Sequence, residues 1–155
     1  MNRGKIMQRG LLVCLTVCCL LAGYASSRAE EAGWQLLHSE PEYSDFYYNK
    51  GMVARTAEGI LTIWTKVVYG AEGRAEMLAG REKDNEYQRL AYTLYQYDIN
   101  CATKQSRIRQ IVHYDVKGKK IVEFNLAGKT PWEQIPLGSR LDMVVDEECP
   151  QGEEP

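Results

Sequence analysis

Leu90–Val116 reads LAYTLYQYDINCATKQSRIRQIVHYDV, and this stretch decides the fold because it holds two long runs of alternating side chains. Successive side chains of a strand point to opposite faces, so the runs predict β-strands over Leu90–Cys101 and Ser106–Val116. A glycine-containing turn follows at Lys117–Lys120, and Ile121–Leu126 predicts a third strand. Short turns are typical of antiparallel neighbours, so this stretch predicts a three-stranded antiparallel meander.

The alternation also predicts which side chains share a face in the two long strands. In the first strand, one face carries Tyr95, Tyr97, Ile99 and Cys101, and the other carries Tyr92, Leu94, Gln96, Asp98 and Asn100. In the second strand, one face carries Ile108, Val112, Tyr114 and Val116, and the opposite face carries Arg107, Arg109, Ile111 and His113. We therefore expect His113 to be a surface histidine beside Arg109.

The rest of the chain predicts further strands and two helices. Three more strands are predicted from aromatic and β-branched residues, over Gly33–His38, Asp45–Arg55 and Ile60–Tyr69. The last of these is apolar on both faces, as expected of a central strand that is covered on both sides. Ala71–Leu78 has a weak helical stripe, and Ser139 with Asp142 has the spacing of a capping box that begins a last helix. The predicted fold is α+β: a single domain with a twisted antiparallel sheet of about five or six strands and a C-terminal helix packed on it.

Residues 1–29 have the three parts of a secretory signal peptide. Basic residues open the segment, Leu11–Ala22 is an apolar run, and small residues at Ser27 and Ala29 mark a cleavage site. The apolar run is shorter than the about 20 residues that cross a membrane. The mature domain is therefore expected at 30–149, followed by a disordered acidic tail at 150–155.

Cleavage would leave two of the five cysteines, Cys101 and Cys149. In an oxidising compartment this even count predicts one disulfide, which would pin the last helix to the end of a strand. Closing this long loop is worth ~4 kcal/mol in the chain-entropy model. The cysteines lost with the leader are Cys14, Cys18 and Cys19. Cys18 follows a weak lipobox inside the apolar run, and ordinary cleavage is favoured over lipid anchoring there.

The charge balance argues against a nucleic-acid-binding protein. The chain has a formal net charge of −2, and loss of the leader removes four basic residues and no acidic one. The remaining 126 residues then carry −6, whereas nucleic-acid binding depends on neutralising phosphates. No second apolar run approaches spanning length, so no transmembrane segment is expected after cleavage. The chain is expected to be exported to the periplasm or the cell surface.

A series of aromatic, turn and cysteine residues lies in order along the mature chain. They are Trp34, Tyr47-Tyr48-Asn49, Ile63-Trp64-Thr65-Lys66, Cys101, Tyr114-Asp115, Gly118, Trp132, Ile135-Pro136, Gly138-Ser139 and Cys149. With this series the chain resembles the surface-adhesin protein E family of small exported bacterial proteins. It departs from the family at Leu137, where a second proline is common, and at Asp98, which does not adjoin Cys101. The resemblance implies an antiparallel sheet with a helix held against it by a disulfide.

The resemblance also implies a function. The family's named member binds host matrix proteins such as laminin and vitronectin, and also plasminogen. The chain is thus expected to be a non-enzymatic binding module of the bacterial envelope, with a protein or glycan partner that contacts the sheet surface. The alternative is a soluble periplasmic factor for envelope maintenance or assembly that has no host ligand. An enzyme is the least favoured of the three hypotheses.

Two groups of residues are candidates for contact with a partner. The basic residues of the meander would suit an acidic partner, although lysines at hairpin tips also keep edge strands soluble. The tyrosines would suit a protein interface, although cross-strand tyrosine pairs also stabilise sheets. The predicted partner-binding set is Lys104, Arg107, Arg109, Lys117, Lys119, Lys120, Tyr92 and Tyr95. A wider aromatic surface is predicted to include Tyr43, Tyr47 and Tyr48 as well.

The sequence shows no motif for catalysis, metal binding or a cofactor. There is no Gly-x-Ser-x-Gly elbow, no Cys-x-x-Cys pair and no glycine-rich phosphate loop after a strand. An enzymatic site would need Asp98, His113 or tyrosine hydroxyls to converge in a polar cleft. No catalytic, metal-binding or cofactor-binding residue is therefore predicted.

Overall fold

A computed structural model describes residues 33–81 and 84–149. The predicted signal peptide with its three cysteines and the predicted acidic tail lie outside these residues. The strands are β1 (Trp34–Glu40), β2 (Ser44–Asn49), β3 (Ala54–Arg55), β4 (Ile60–Tyr69), β5 (Leu90–Asn100), β6 (Gln105–Asp115), β7 (Lys120–Asn125) and β8 (Glu133–Gln134). The helices are α1 (Ala71–Leu78) and α2 (Arg140–Glu148), and short 3-10 turns cover Lys50–Met52 and Tyr87–Arg89.

Within the described residues the strands form one antiparallel sheet. Six of its eight strands follow one another in the order β1-β2-β4-β5-β6-β7. The two-residue strand β3 pairs with β4 on the same side as β2, and the two-residue strand β8 pairs with β6 on the same side as β7. The predicted α+β class and the predicted meander of β5, β6 and β7 are confirmed.

The helix α2 covers one face of the sheet, which we call the helix face; the opposite side is the open face. Side chains from the sheet and from α2 meet on the helix face and form the buried core. This core contains Phe46, Tyr48, Leu61, Ile63, Ile99, Ile135, Val144, Val145 and Cys149. On the open face, Trp64 and Val68 of β4 are only half-buried, so the prediction that this strand is covered on both sides is wrong.

The disulfide and the capping residues fix α2 at its two ends. Cys101 follows β5, Cys149 ends the helix, and the two form a disulfide with Cα atoms 5.5 Å apart, as predicted. At the start of the helix, the Ser139 hydroxyl accepts a hydrogen bond from the Asp142 N–H at 3.2 Å. The Asp142 carboxylate in turn accepts from the Gly138 N–H at 2.8 Å. The longest described helix has nine residues, and none of the described helices is long and apolar enough to cross a membrane.

The single strand predicted over Asp45–Arg55 is wrong. The chain leaves the sheet at Lys50–Met52, and β3 resumes pairing with β4 after this 3-10 turn. Glycine is unfavourable inside a strand, and Gly51 lies in the middle of the interruption. The Lys50 N–H donates to the Gly33 carbonyl at 2.8 Å, which ties the turn to the residue before β1.

A β-bulge in β6 overturns the predicted assignment of faces in this strand. Tyr97 of β5 lies opposite Ile108, but Gln96 lies opposite Gln110, so Arg109 is an extra residue. An extra residue shifts the alternation by one position, and every side chain after it changes face relative to the regular pattern.

The bulge moves His113 to the helix face. His113 lies opposite Thr93, on the same face as Ile108 and Ile111, whereas Tyr114 lies on the open face. Because His113 is only 6% exposed, the predicted surface position beside Arg109 is wrong. The alternation alone could not reveal this, since nothing in the residue types marks Arg109 as the extra residue.

Candidate functional site

An open groove lies on the helix face, between α1 and the N-terminal end of α2, with a volume of about 830 Å³. Val67 of β4 lies on its floor, Met77 of α1 on one wall, and Arg140 of α2 on the other. Four tyrosines also border it, and we call it the tyrosine groove. They are Tyr43, Tyr69, Tyr95 and Tyr97.

Strand alternation places the floor residues on this face. In the pairing of β4 with β5, Tyr97 lies opposite the core residue Ile63, and Tyr95 lies opposite Thr65. Val67 lies opposite Phe46, which is another core residue. The floor therefore continues the buried core outward, and it is as rigidly held as the sheet itself.

Two glycines hold the wall formed by α1 close to the β1–β2 turn. A Cβ at Gly70 would overlap the Pro41 carbonyl oxygen, and a Cβ at Gly73 would overlap the Tyr43 carbonyl oxygen. The approach also allows backbone hydrogen bonds, from the Gly70 N–H to the Tyr43 carbonyl at 2.8 Å and from the Glu72 N–H to the Glu42 carbonyl at 2.9 Å. Only glycine permits this contact, and the contact fixes the width of the groove on this side.

Two of the groove tyrosines, Tyr95 and Tyr97, remain neutral hydroxyl groups. Burial raises the pKa of Tyr97 to about 12. Burial, followed by the neighbouring Tyr69, also raises the pKa of Tyr95. A phenol with a raised pKa stays protonated at neutral pH, so these side chains donate and accept hydrogen bonds but do not act as bases or nucleophiles.

A hydrogen-bonded chain leads from the groove into the sheet. The Tyr69 hydroxyl donates to Thr93 Oγ1 at 3.0 Å, and Thr93 Oγ1 lies 2.7 Å from His113 Nδ1. Because Thr93 Oγ1 accepts from Tyr69, its own hydroxyl proton is donated to Nδ1. The proton of the neutral imidazole is then on Nε2. Burial, and then the charge of Arg81, lower the pKa of His113. Thr93 is fully buried, so neither its hydroxyl nor the imidazole behind it faces the groove.

The rim of the groove carries charges of both signs. Glu40 accepts a hydrogen bond from His38 Nε2 at 2.7 Å, and this bond lowers the pKa of the Glu40 carboxyl. Glu76 lines the wall on the α1 side. Arg140, on the opposite wall, lies over the Phe46 ring with its Cζ 5.9 Å from the ring centroid.

The structure does not bring the predicted basic residues together as one patch. Lys104 precedes β6 and Lys117 follows it, so they lie at opposite ends of the longest strand pair. Lys119 lies in the same turn as Lys117, and Lys120 makes an ion pair with Glu123 at 2.5 Å. A role for these lysines in binding a partner stays a prediction.

Arg107 and Arg109 are held by the buried carboxylate of Asp98. Arg107 donates to Asp98 at 2.9 and 3.0 Å, and Arg109 donates to it at 3.3 Å. The Arg107 guanidinium also lies over the Trp132 ring, 4.6 Å from its centroid. Asp98 and Thr93 are five residues apart in a regular strand, so Asp98 lies on the open face and does not converge with His113.

The predicted aromatic surface is divided between the two faces and the core. Tyr95 lines the groove, but Tyr92 lies on the open face, stacked on Tyr114 with ring centroids 4.9 Å apart. Tyr48 is fully buried, and Tyr47 lies on the open face with Lys66 Nζ 5.0 Å from its ring centroid. The predicted place of Tyr48 in an aromatic surface is therefore wrong, and the other four tyrosines are divided between the two faces.

Sequence reasoning missed most of the groove. The alternation did place Tyr95 and Tyr97 on one face, but the residues that build the walls come from three separate segments. Those residues are Tyr43, Tyr69, Met77 and Arg140. No cluster of three or more His, Cys, Asp or Glu side chains able to hold a metal ion occurs among residues 33–81 and 84–149. In comparisons with protein-family models, curated proteins and solved structures, this chain matched none.

Proposed function

We propose that this chain is an exported, non-enzymatic binding module that holds an extended segment of a protein partner in the tyrosine groove. The observation that carries the proposal is the groove itself, with four tyrosines around an apolar floor on a rigid sheet. Tyrosine combines a large, stiff ring with one polar atom, so it gives contact area at a low cost in conformational entropy.

The protonation states of the groove favour binding over catalysis. Tyr95 and Tyr97 have raised pKa values, so they offer neutral hydroxyls that suit the amide groups of a peptide backbone. The imidazole of His113 is separated from the groove by the buried Thr93 hydroxyl. A general base must come within hydrogen-bond reach of its substrate, and His113 does not meet that condition.

Display selection with random linear peptides tests the groove. Peptides selected on the folded protein are expected to lose binding when Tyr43→Ala and Met77→Ala are combined, because both side chains border the groove. The matched control is Tyr92→Ala, which removes a half-buried tyrosine from the open face. Peptides that bind the groove variant normally but fail to bind Tyr92→Ala would reject the groove as the binding site.

Export and an adhesin-like role rest on the predicted leader, the disulfide and the resemblance to the surface-adhesin protein E family. Structural disulfides persist in oxidising compartments, and the pair Cys101–Cys149 is of this kind. Protease digestion of the native protein on intact cells would support a surface adhesin. Protection until the outer membrane is opened would support the periplasmic alternative and reject the adhesin.

A further inference from the structure

We infer that the tyrosine groove selects partner segments that carry an arginine or lysine side chain, and this inference rests on the proposed function. The ligand class is a cationic side chain on an extended peptide, held over tyrosine rings and against the carboxylates of the rim.

The elements that form the walls carry more acidic than basic side chains. Glu40 and Glu42 lie at the β1–β2 turn, and Glu72 and Glu76 lie on α1. Against these four carboxylates, α1 supplies Arg74 and the start of α2 supplies Arg140. Of these side chains, Glu40, Glu76 and Arg140 line the groove itself, so its lining carries two carboxylates and one guanidinium. This excess attracts a cation, and aromatic walls that exclude part of the solvent strengthen the attraction.

The carboxylates of the rim differ in how far they are already engaged. Glu40 accepts from His38, and Glu72 accepts from the Tyr43 hydroxyl, which raises the pKa of Tyr43. The Glu76 side chain lines the groove, and its carboxylate makes no hydrogen bond or ion pair with another described residue. Of the two carboxylates that line the groove, Glu76 is therefore the one that remains for an incoming cation.

Cation–aromatic contacts are already a feature of this fold. Arg140 lies over Phe46 at the groove, and on the open face Lys66 Nζ lies 4.7 Å from the Trp34 centroid. Tyrosine faces attract a guanidinium or an ammonium in the same way. Tyr43 is 47% exposed and lies beside the acidic wall, so its ring is accessible to such a group.

Three synthetic octapeptides test the inference. They share a Ser/Ala frame with one leucine, and they carry arginine, norleucine or glutamate at the same central position. Binding is followed by the ¹³C-methyl signal of Met77, which lies in the groove wall. The arginine peptide is expected to bind about fivefold tighter than the norleucine peptide, because an exposed ion pair and a cation–π contact add small increments. The glutamate peptide is expected to bind weakest.

A pair of charge-matched variants separates a local effect from the overall negative charge. Glu40→Gln with Glu76→Gln is expected to abolish the preference for arginine, because both carboxylates belong to the groove. Glu58→Gln with Glu133→Gln removes the same charge outside the groove and is expected to leave the preference unchanged. If both double variants lose the preference equally, the attraction is global and the inference is rejected.

The outcomes distinguish this inference from the proposed function. Equal affinity for arginine and norleucine peptides, with Met77 shifted by both, would reject the cation preference while supporting the groove as a binding site. If the peptides selected by display bind the protein without shifting the Met77 signal, they bind outside the groove, and the proposed function is rejected. Added salt is expected to weaken the arginine peptide more than the norleucine peptide, since exposed charges are screened.

Discussion

At the scale of single residues, two threonines on the helix face have the same burial and different surroundings. Thr93 and Thr65 are both fully buried, on neighbouring strands. The Thr93 hydroxyl links Tyr69 to His113, whereas Thr65 Oγ1 has no hydrogen-bond partner among the described residues. The energetic value of a buried hydroxyl depends on its partners, so these two residues should respond in opposite ways to the same change.

Thr93→Val is expected to destabilise the protein by about 1–3 kcal/mol, because it leaves the half-buried Tyr69 phenol and a buried imidazole nitrogen without their shared partner. Thr65→Val is the matched control and is expected to be neutral or stabilising, since it replaces an unpaired hydroxyl with a methyl group. Urea unfolding measures both. Equal losses for the two variants would show that the Thr93 chain contributes nothing.

The buried His113 is expected to make the free energy of unfolding depend on pH. Its pKa is lowered from the ordinary 6.5 by burial, so the unfolded chain binds the proton more readily than the folded one. The free energy of unfolding should therefore fall as the pH drops below about 6.5 and should level off below the folded-state pKa. Urea titrations between about pH 5 and 8 test this, with His113→Gln expected to remove part of the fall. A fall of the same size in His113→Gln would assign it to other groups, and His38→Gln controls for the second histidine.

At the scale of secondary-structure elements, the groove depends on how closely α1 approaches the β1–β2 turn. Glycine inside a helix normally costs about 1 kcal/mol relative to alanine, so alanine at Gly73 would be favourable on propensity alone. The position is nevertheless closed to a Cβ by the Tyr43 backbone. Backbone cannot move aside as a side chain can, so the clash is expected to outweigh the propensity.

Gly73→Ala is expected to destabilise the protein by about 1–3 kcal/mol and to weaken binding in the groove by displacing α1. Gly51→Ala is the control, because the nearest atom to its Cβ would be Asn49 Oδ1 at an ordinary 3.4 Å. Hydrogen exchange at the Gly70 and Glu72 amides reports whether the contact with the turn has opened. A Gly73→Ala protein with unchanged exchange and stability would contradict this account of the wall.

The elements also show what the sequence could predict. The shared face of Tyr97 and Ile99 in β5 could be predicted from the alternation of side chains, because no bulge interrupts the pairing of β5 with β4. The face of His113 could not be predicted, because the bulge at Arg109 depends on the pairing of β6 with β5 rather than on residue type. The groove could not be predicted from the sequence either, because the packing of α1 and α2 brings Tyr43 and Arg140 to it.

At the scale of the whole molecule, the disulfide connects the last helix to the sheet that carries the groove. It joins residues 48 positions apart, and the helix it holds supplies Val144 and Val145 to the core. Replacing both cysteines, Cys101→Ser with Cys149→Ser, is expected to cost ~4 kcal/mol in the chain-entropy model and to lower the melting temperature markedly. An unchanged melting temperature would show that α2 is held by packing alone.

The tyrosine groove, and not the open face, is proposed to receive the partner. Photo-crosslinking in living cells tests this, with a benzophenone amino acid at Met77 in the groove or at Trp64, which is half-buried on the open face. Crosslinks are expected from Met77 to one defined segment of a partner protein, identified by mass spectrometry, and none from Trp64. Crosslinks to that partner from Trp64 alone would place it on the open face and reject the groove.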